Sequence, residues 1–241
     1  MRANSGSFAK TLPFAIHNIG GIANLTYITR NQRRIIAFDT GPGNALIDMA
    51  AERVTNDRMK FDKDGKLAAS ALQSIDWRTI ESLGKHSFFR APPPKSTGRE
   101  LFSAAFLRRI PGRGPALVAN ATALTAHTMA KAHVEFILKK GRVLNGIFAA
   151  GGGARNPTLL RLFSREIARL SGEEIPIGVL PDTFAPAQYL EAMAFARLGY
   201  EALKGNAVSM AIVTGAVEDA FGAGIFPGEN YRRILKRLDL T

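Results

Sequence analysis

The strongest constraint on how this chain can fold is a set of three glycine-dense turns, each of which follows a run of β-forming residues. The turns are, in chain order, Gly20-Gly21, Gly41-Pro42-Gly43 and Gly151-Gly152-Gly153. Glycine has no Cβ, so backbone N–H groups in such turns can approach a phosphate oxygen closely. The residues alone leave two interpretations open for each turn, an ordinary structural turn or an anion cradle.

The rest of the pattern predicts a mixed α/β fold. Runs rich in β-forming residues predict strands at 14–19, 23–29, 34–38, 146–150 and 175–180. Apolar residues at helical spacing predict helices at 44–53, 66–72, 76–83, 98–109, 116–140, from 157 onward, 186–204 and 231–238. Asn44 and Asp76 are available as N-caps, and Pro157 follows Asn156 at a first helical position.

Composition and charge exclude several classes of protein. The 241 residues contain no cysteine, which excludes thiol catalysis, Cys-ligated zinc and iron–sulfur clusters. The net charge of +12 comes from scattered basic groups with acids between several of them, so we expect a solvated surface and no nucleic-acid partner. Neither the P-loop nor the Rossmann glycine pattern occurs in the sequence.

Targeting signals and metal-ligand spacings are also absent from the sequence. The first ten residues contain no apolar segment typical of a secretory signal, and polar residues interrupt the most apolar stretch, 116–138. We expect a soluble, cytoplasmic chain with no membrane partner. The four histidines, His17, His86, His127 and His133, form no metal-ligand spacing, so no metal site is predicted among the side chains.

Six short motifs occur in one order along the chain. They are NIGGIAN (18–24), FDTGPGN (38–44), FDKDG (61–65), PKSTGRE (94–100), GGGARNP (151–157) and EAMAFA (191–196). From about residue 14 to residue 227 the chain closely resembles the anhydro-N-acetylmuramic acid kinases, bacterial enzymes of the actin and sugar kinase-like ATPase superfamily. The resemblance implies an actin-like ATPase (ribonuclease H-like) α/β lobe, a mixed sheet flanked by helices, mostly the second lobe of a two-lobed kinase.

The resemblance also implies a reaction. ATP, with Mg²⁺, would phosphorylate a 1,6-anhydro amino sugar at O6 while water opens its anhydro bridge, giving N-acetylmuramic acid 6-phosphate for cell-wall recycling. Asp39 is the predicted base, because a carboxylate at a strand end beside a glycine-rich turn can deprotonate the attacking water. A turn-capping role for Asp39 is the alternative, and we expect Asp48 to be structural.

The resemblance assigns further roles to individual positions. The phosphate loop would comprise Asn18, Gly20, Gly21 and Asn24; the substrate pocket Gly41, Gly43, Asn44 and Glu191; and the adenosine turn Gly151, Gly152, Gly153 and Asn156. A solvated or helix-stabilising role for Glu191 stays open. Further groups that can bind anions belong to Lys95, Ser96, Thr97 and Arg99. Whether they contact the substrate or a phosphate stays open.

The sequence departs from the family at its start, where residues 1–13 do not resemble the first phosphate loop of a two-lobed kinase. We expect an irregular segment at 1–13, the second lobe at 14–190, and a helix and tail at 191–241 that return toward a first lobe. We expect low activity from this chain alone, a first lobe that could be supplied in trans, and a homodimer in a complete enzyme. A non-catalytic nucleotide- or sugar-binding remnant, one half of a split kinase and a basic nucleic-acid-binding module are the alternatives.

Overall fold

The computed structural model describes residues 11–180, 190–208, 210–222 and 224–239 of the chain. Two compact units divide the chain, Met1–Leu180 and Pro181–Thr241. Within the described residues, no helix is both long and apolar enough to cross a membrane.

The first unit is built on a five-stranded mixed sheet. Its strands are β1 (Phe14–Ile19), β2 (Ile22–Ile28), β3 (Ile36–Pro42), β4 (Ile147–Ala150) and β5 (Ile177–Val179). They lie in the order β3-β2-β1-β4-β5; β2 is antiparallel to both neighbours, whereas β1, β4 and β5 are parallel. A five-stranded mixed sheet with helices confirms the predicted mixed α/β fold class.

Seven helices lie in the described part of the first unit. They are α1 (Ala45–Thr55), α2 (Lys66–Ala69), α3 (Trp77–Leu83), α4 (Ser87–Arg90), α5 (Ala104–Leu107), α6 (Pro115–Phe136) and α7 (Pro157–Ser171). Side chains are buried along nearly the whole of α6, which packs against α7, α1 and β3. A helix that is buried all round lies at the centre of a core, and α6 therefore forms the layer behind the sheet.

The second unit contains three helices in its described part, α8 (Leu190–Leu203), α9 (Ala211–Thr214) and α10 (Tyr231–Arg237). The predicted helix at 186–204 corresponds to α8 from residue 190 onward, and the beginning of that prediction lies outside the described residues.

Two helix predictions need correction. The predicted helix at 98–109 is wrong except for the single turn α5, because residues before it run beside β3: the Asp39 N–H donates to the Lys95 carbonyl at 3.1 Å. That long-range pairing outweighs a weak local helix preference. The predicted helix at 116–140 ends earlier, at Phe136, and a 3₁₀ turn at Leu138–Lys140 follows it.

Candidate active site

The three glycine-dense turns meet at one edge of the sheet. Because β1, β3 and β4 run in the same direction, their carboxyl ends lie together. The N–H of Gly43 donates to the Gly21 carbonyl at 2.9 Å, and the N–H of Asn44 donates to the Gly20 carbonyl at 2.7 Å. The third turn lies against the end of β1, since a Cβ added at Gly151 would lie 2.6 Å from Asn18 Oδ1.

Close backbone contact explains why two of these positions are glycine. A Cβ at Gly43 would collide with the Gly20 carbonyl oxygen, so the first two turns could not pack as they do with any other residue there. Gly151 has φ +76°, in the left-handed region that favours glycine. The chemistry of the turn edge therefore depends on backbone geometry that the glycines permit.

A row of three polar side chains crosses the sheet beside these turns. Asn18 pairs with Asn24 across β1 and β2, and Asn24 pairs with Asp39 across β2 and β3. Directly paired residues project from the same face of a sheet, so the structure brings together the predicted base and two residues of the predicted phosphate loop. Within the described residues, the side chains of Asn18 and Asn24 have no hydrogen-bond partner.

Asp39 lies inside β3, not at its end as predicted, because the strand continues to Pro42. The Thr97 N–H donates to Asp39 Oδ2 at 2.9 Å, and no described residue donates to Oδ1. Partial burial raises the pKa of Asp39, and the hydrogen bond from Thr97 opposes that rise. A half-buried carboxylate with one oxygen held and the other free can accept a proton from a small molecule at the sheet edge.

A pocket of about 460 Å³ lies beside the third turn. Three predicted site residues line it: Asn44, Gly152 and Asn156. A Cβ added at Gly152 would meet only Asn44 Nδ2, at 3.7 Å, so that position faces open space. Asn156 is buried and caps α7, accepting the Leu159 N–H at 3.0 Å.

The same pocket contains residues that the sequence interpretation did not assign to the site. They are Ile47, Asp48, Lys60, Phe61, Asp62, Lys63, Asp64 and Arg155. Four of them belong to the FDKDG motif, which carried part of the family resemblance but received no role. That motif was the available signal for this side of the pocket.

Asp48 is the clearest of these omissions, since we expected it to be structural. Burial raises the pKa of its carboxyl to about 6; the Arg99 guanidinium lowers it, and the nearby Glu52 and Asp62 raise it. Asp62 is buried and its oxygens accept the N–H groups of Leu67 and Ala68 at 2.8 and 3.0 Å. Asp62 is therefore held by backbone, whereas Asp48 presents a carboxyl to the pocket.

Asn44 occupies the N-cap position of α1, but its side chain makes no capping hydrogen bond. Its Nδ2 donates instead to the Ile19 carbonyl at 3.1 Å. The expectation of a capping Asn44 is thus wrong in its contacts, because the side chain ties the start of α1 to the end of β1.

The basic and hydroxyl groups of the PKSTGRE motif divide into two kinds. Lys95 points into a cage, where Nζ donates to the carbonyls of Phe88 and Phe89 at 2.9 and 3.3 Å and lies over the Phe136 ring. Burial, and then the charge of Lys131, lower the pKa of Lys95 to about 8. The Lys95 ammonium group is therefore bound by groups of the protein itself.

Thr97 and Arg99 lie at the turn edge. Thr97 contributes its backbone N–H to Asp39, and the guanidinium of Arg99 lies against Gly21, where an added Cβ would be 2.9 Å from Nη2. Within the described residues, the Ser96 side chain makes no hydrogen bond. Glu191 belongs to α8 in the second unit, with a side chain outside the described residues. The described residues bring Gly41 to the turn edge as part of β3.

No group of three or more His, Cys, Asp or Glu side chains in the described part of the chain is arranged to hold a metal ion. Mg²⁺ usually needs only one or two carboxylates when substrate phosphates and water supply its other ligands. The half-buried carboxyl of Asp48, which lines the pocket, fits that requirement.

Comparison with known proteins gives a consistent family. A family model described as anhydro-N-acetylmuramic acid kinase matches residues 8–228. Curated proteins of the same description include one from Caldanaerobacter subterraneus subsp. tengcongensis, 34% identical over 211 residues, covering 84% of this chain and 51% of that protein. Another from Acidithiobacillus ferrooxidans is 36% identical over 240 residues, covering 96% of this chain and 58% of that protein.

A third relative, from Xanthomonas axonopodis pv. citri, is 36% identical over 217 residues and covers 88% of this chain and 54% of its own length. The chain therefore spans about half the length of the curated relatives that it matches. Among solved structures, an activator of the 2-hydroxyisocaproyl-CoA dehydratase from Clostridium difficile with bound ADPNP has 17% identity and a TM-score of 0.40, covering 79% of this chain and 63% of that one. This similarity is too low to support any conclusion about the chain.

Proposed function

The chain belongs to the anhydro-N-acetylmuramic acid kinase family, and we propose that it carries the catalytic base and the nucleotide-binding edge for an ATP-dependent phosphorylation of 1,6-anhydro-N-acetylmuramic acid. The product is N-acetylmuramic acid 6-phosphate, formed in the cytoplasm during peptidoglycan recycling. The observation that carries this proposal is the row of Asn18, Asn24 and Asp39 at the edge where the three glycine-dense turns meet.

In the proposed reaction, Asp39 takes a proton from a water molecule as the water oxygen attacks the anomeric carbon of the sugar. The bond from that carbon to O6 breaks, and O6 forms a new bond to the γ-phosphorus of ATP while ADP leaves. Asp39 Oδ2 is held by the Thr97 N–H, so Oδ1 is the oxygen that accepts the proton. Positioning supplies much of the rate in such transfers, because reacting groups held in place avoid the entropy cost of meeting.

The nucleotide would lie along the turn edge. Gly20 and Gly21, with Asn18 and Asn24, form the proposed phosphate loop, and Asn18 and Asn24 have side-chain groups free to bind oxygen atoms. The open space above Gly152 and the adjoining pocket of about 460 Å³ support the adenosine assignment. Mg²⁺, when bound, would neutralise charge on the phosphates, and Asp48 is proposed to hold its hydration shell.

The remaining groups at this edge would bind and orient the sugar. Gly41 and Gly43 are proposed to contact the sugar through their backbone groups, because the space for a side chain is filled by Phe89 at Gly41 and by the Gly20 carbonyl at Gly43. Glu191, which the family resemblance assigns to the substrate pocket, is proposed to contact the sugar. The half of a relative that this chain does not match is proposed to supply an opposing phosphate loop, and a complete enzyme is proposed to be a homodimer.

The test is replacement of the base. Purified chain, alone and mixed with the other half of a relative, is incubated with ATP, Mg²⁺ and the anhydro sugar, and the sugar 6-phosphate is followed by mass spectrometry. We expect Asp39→Asn to lower turnover by about 10² to 10⁴-fold, the usual contribution of a general base, while nucleotide affinity stays within a few fold. The carboxylate acts on water in the transition state and not on bound ATP.

Asp76→Asn is the matched control, because Asp76 caps α3 through the Thr79 N–H and asparagine caps equally well. Turnover of Asp39→Asn equal to that of Asp76→Asn would remove Asp39 from the base role. Nucleotide binding without turnover in either mixture would favour the alternative, a nucleotide- or sugar-binding protein without catalysis.

A further inference from the structure

A chain of buried hydrogen bonds lies directly behind the polar row. His133 Nε2 and His17 Nδ1 are 3.0 Å apart, and His17 Nε2 and Thr40 Oγ1 are 3.1 Å apart. The Thr40 hydroxyl donates to the Ala23 carbonyl at 3.1 Å. All four residues are buried, with side chains at 0 to 1% exposure. These direct hydrogen bonds therefore link α6 to three neighbouring strands.

The direction of these hydrogen bonds follows from chemistry. A carbonyl oxygen only accepts, so the hydroxyl proton of Thr40 points to Ala23, and Thr40 Oγ1 accepts a proton from His17 Nε2. A neutral His17 then accepts at Nδ1, and His133 donates from Nε2. The remaining nitrogen, His133 Nδ1, has no partner in the described part of the chain, which fits an unprotonated nitrogen among apolar side chains.

Both imidazoles are held neutral by their surroundings. Burial lowers the pKa of His17 to about 3, and burial together with the nearby His17 lowers the pKa of His133 well below its usual value. The Phe163 ring packs against both imidazoles, with ring centroids 5.4 and 5.6 Å away. A neutral pair can keep one fixed pattern of donors and acceptors across the whole pH range in which an enzyme of this type works.

The hydrogen-bond chain ends at an irregularity in the sheet. Ala23 pairs with Gly41 and Asn24 pairs with Asp39, so Thr40 is an extra residue of β3 with no partner on β2. Such a bulge bends its strand and redirects the side chains beside it, and bulges are frequent next to active sites. Here the redirected neighbour is the proposed base.

We propose that His17 and His133 are positioning residues, which act through Thr40 to hold the bulge that aims Asp39 at the sugar. The assignment of Asp39 as base rests on the proposed function, whereas the coupling of the imidazoles to Asp39 does not. An apolar side chain at residue 17 would fill the same space, but it could not donate to Thr40 Oγ1. The directional hydrogen bond is what an imidazole adds at this place.

The first test needs no variant. Nitrogen-15 spectra of the imidazole rings of the intact chain report which nitrogen carries the proton. We expect a proton on Nε2 of both His17 and His133 and no imidazolium at pH 6. A proton on Nδ1 of His133, or an imidazolium at either residue, would overturn the directed chain and with it the proposal.

The second test removes the hydroxyl. In Thr40→Val the amide proton of Thr97, which donates to Asp39 Oδ2, is expected to shift upfield and to exchange with solvent about tenfold faster, the equivalent of one lost hydrogen bond. Thr40→Ser keeps the hydroxyl and is expected to restore both values. Where turnover is measurable, kcat falls in Thr40→Val while KM for ATP stays unchanged.

Thr122→Val is the matched control. Thr122 is also fully buried, on α6, and its hydroxyl donates to the Val118 carbonyl at 2.8 Å, outside the chain of imidazoles. If Thr40→Val only lowered stability, the chemical shift and exchange rate of the Thr97 amide proton would change equally in both valine variants. That result would overturn the positioning role. If Thr40→Val does not fold, the imidazole spectra decide. Full turnover in Asp39→Asn would contradict the proposed function. The result for the Thr97 amide would still test whether the imidazoles are coupled to Asp39.

Discussion

The polar side chains on the two faces of the sheet around β1 and β3 differ in burial and in hydrogen bonding. Behind the sheet, His17, Thr40 and His133 are fully buried and bonded to one another. In front, Asn18 and Asp39 are half-buried, and between them they receive one hydrogen bond from the described residues, that of the Thr97 N–H. Successive residues of a strand face opposite sides. Residues adjacent in the sequence therefore lie on different faces, one buried and hydrogen-bonded and the other half-buried.

The difference shows where stability and binding come from in this unit. Most buried polar groups have hydrogen-bond partners, because a buried group without one loses its hydration and gains nothing in exchange. Half-buried groups with few protein partners keep their hydrogen-bonding capacity for a ligand. We therefore expect substitutions behind the sheet to lower the free energy of unfolding, with an added effect on turnover only where they act through Thr40 on Asp39. Substitutions in front should change mainly binding and turnover.

The largest effect on stability is expected at another buried polar cluster behind the sheet. Glu166 accepts hydrogen bonds from His127 Nδ1 and from Arg169 Nε, each at 2.8 Å. Burial raises the pKa of Glu166, but these hydrogen bonds outweigh it and lower that pKa to about 2. Glu166→Ala should reduce the free energy of unfolding by about 2 to 3 kcal/mol, because the buried His127 loses its partner, as measured by urea unfolding. Arg169 is half-exposed and keeps an ion pair with Glu81 at 3.0 Å, so its loss adds little.

Glu135→Ala is the control for that measurement. Glu135 pairs with Lys139 at 2.8 Å on the surface, where an ion pair contributes about 0.2 to 1 kcal/mol. Similar losses in the two variants would break the distinction between buried and exposed polar groups.

Acid should reveal the buried imidazole pair. The folded chain keeps His17 neutral down to about pH 3, whereas an unfolded histidine takes up a proton near pH 6.5. The unfolded state therefore binds more protons below about pH 6.5, so the stability contributed by His17 is complete above that pH and decreases as the pH falls. We expect a loss of about 2 kcal/mol from His17 between pH 7 and pH 5.

Asp48 acts in the opposite direction over the same interval, because its folded pKa is raised to about 6. The imidazole contribution is therefore read from the difference between the chain and a His17→Leu/His133→Leu double variant, in urea unfolding at several pH values. Identical pH slopes would mean that the pair is not held neutral.

Two neighbouring glycines sharpen the comparison further. Gly151 has φ +76°, and an added Cβ would lie 2.6 Å from Asn18 Oδ1, so Gly151→Ala should cost about 1 to 2 kcal/mol of stability. Gly152 has open space, so Gly152→Val should leave stability nearly unchanged but weaken nucleotide binding. Melting curves and binding isotherms of both variants distinguish these outcomes; unchanged nucleotide affinity in a folded Gly152→Val would contradict the adenosine assignment.

The smallest effect on stability is expected in front of the sheet. Asn18→Ala should change the free energy of unfolding by no more than about 0.5 kcal/mol, since the side chain has no described protein partner. Nucleotide affinity should fall by about tenfold, the equivalent of one hydrogen bond to phosphate. A large loss of stability with unchanged affinity would place Asn18 with the buried group instead.

Much of the architecture could be predicted because it is written in short patterns. The strands at 14–19 and 146–150 and the helix that follows Asn156 occur close to where the sequence analysis placed them. Six ordered motifs predicted the family, and the matching family model confirms it. The roles of individual site residues and the boundaries of the proposed lobes stay predictions.

The sequence by itself determined the elements, the glycine-dense turns and the family, because strand and helix periods, turn residues and motifs act over a few neighbouring positions. Only the tertiary structure decided what the side chains contact. In the folded chain, Lys95 lies in an aromatic cage. Thr97 contacts Asp39, which is 58 positions away in the sequence, and His17 contacts His133, which is 116 positions away. These contacts depend on how α6 and the segment beside β3 pack, and no local pattern encodes a partner so far along the chain.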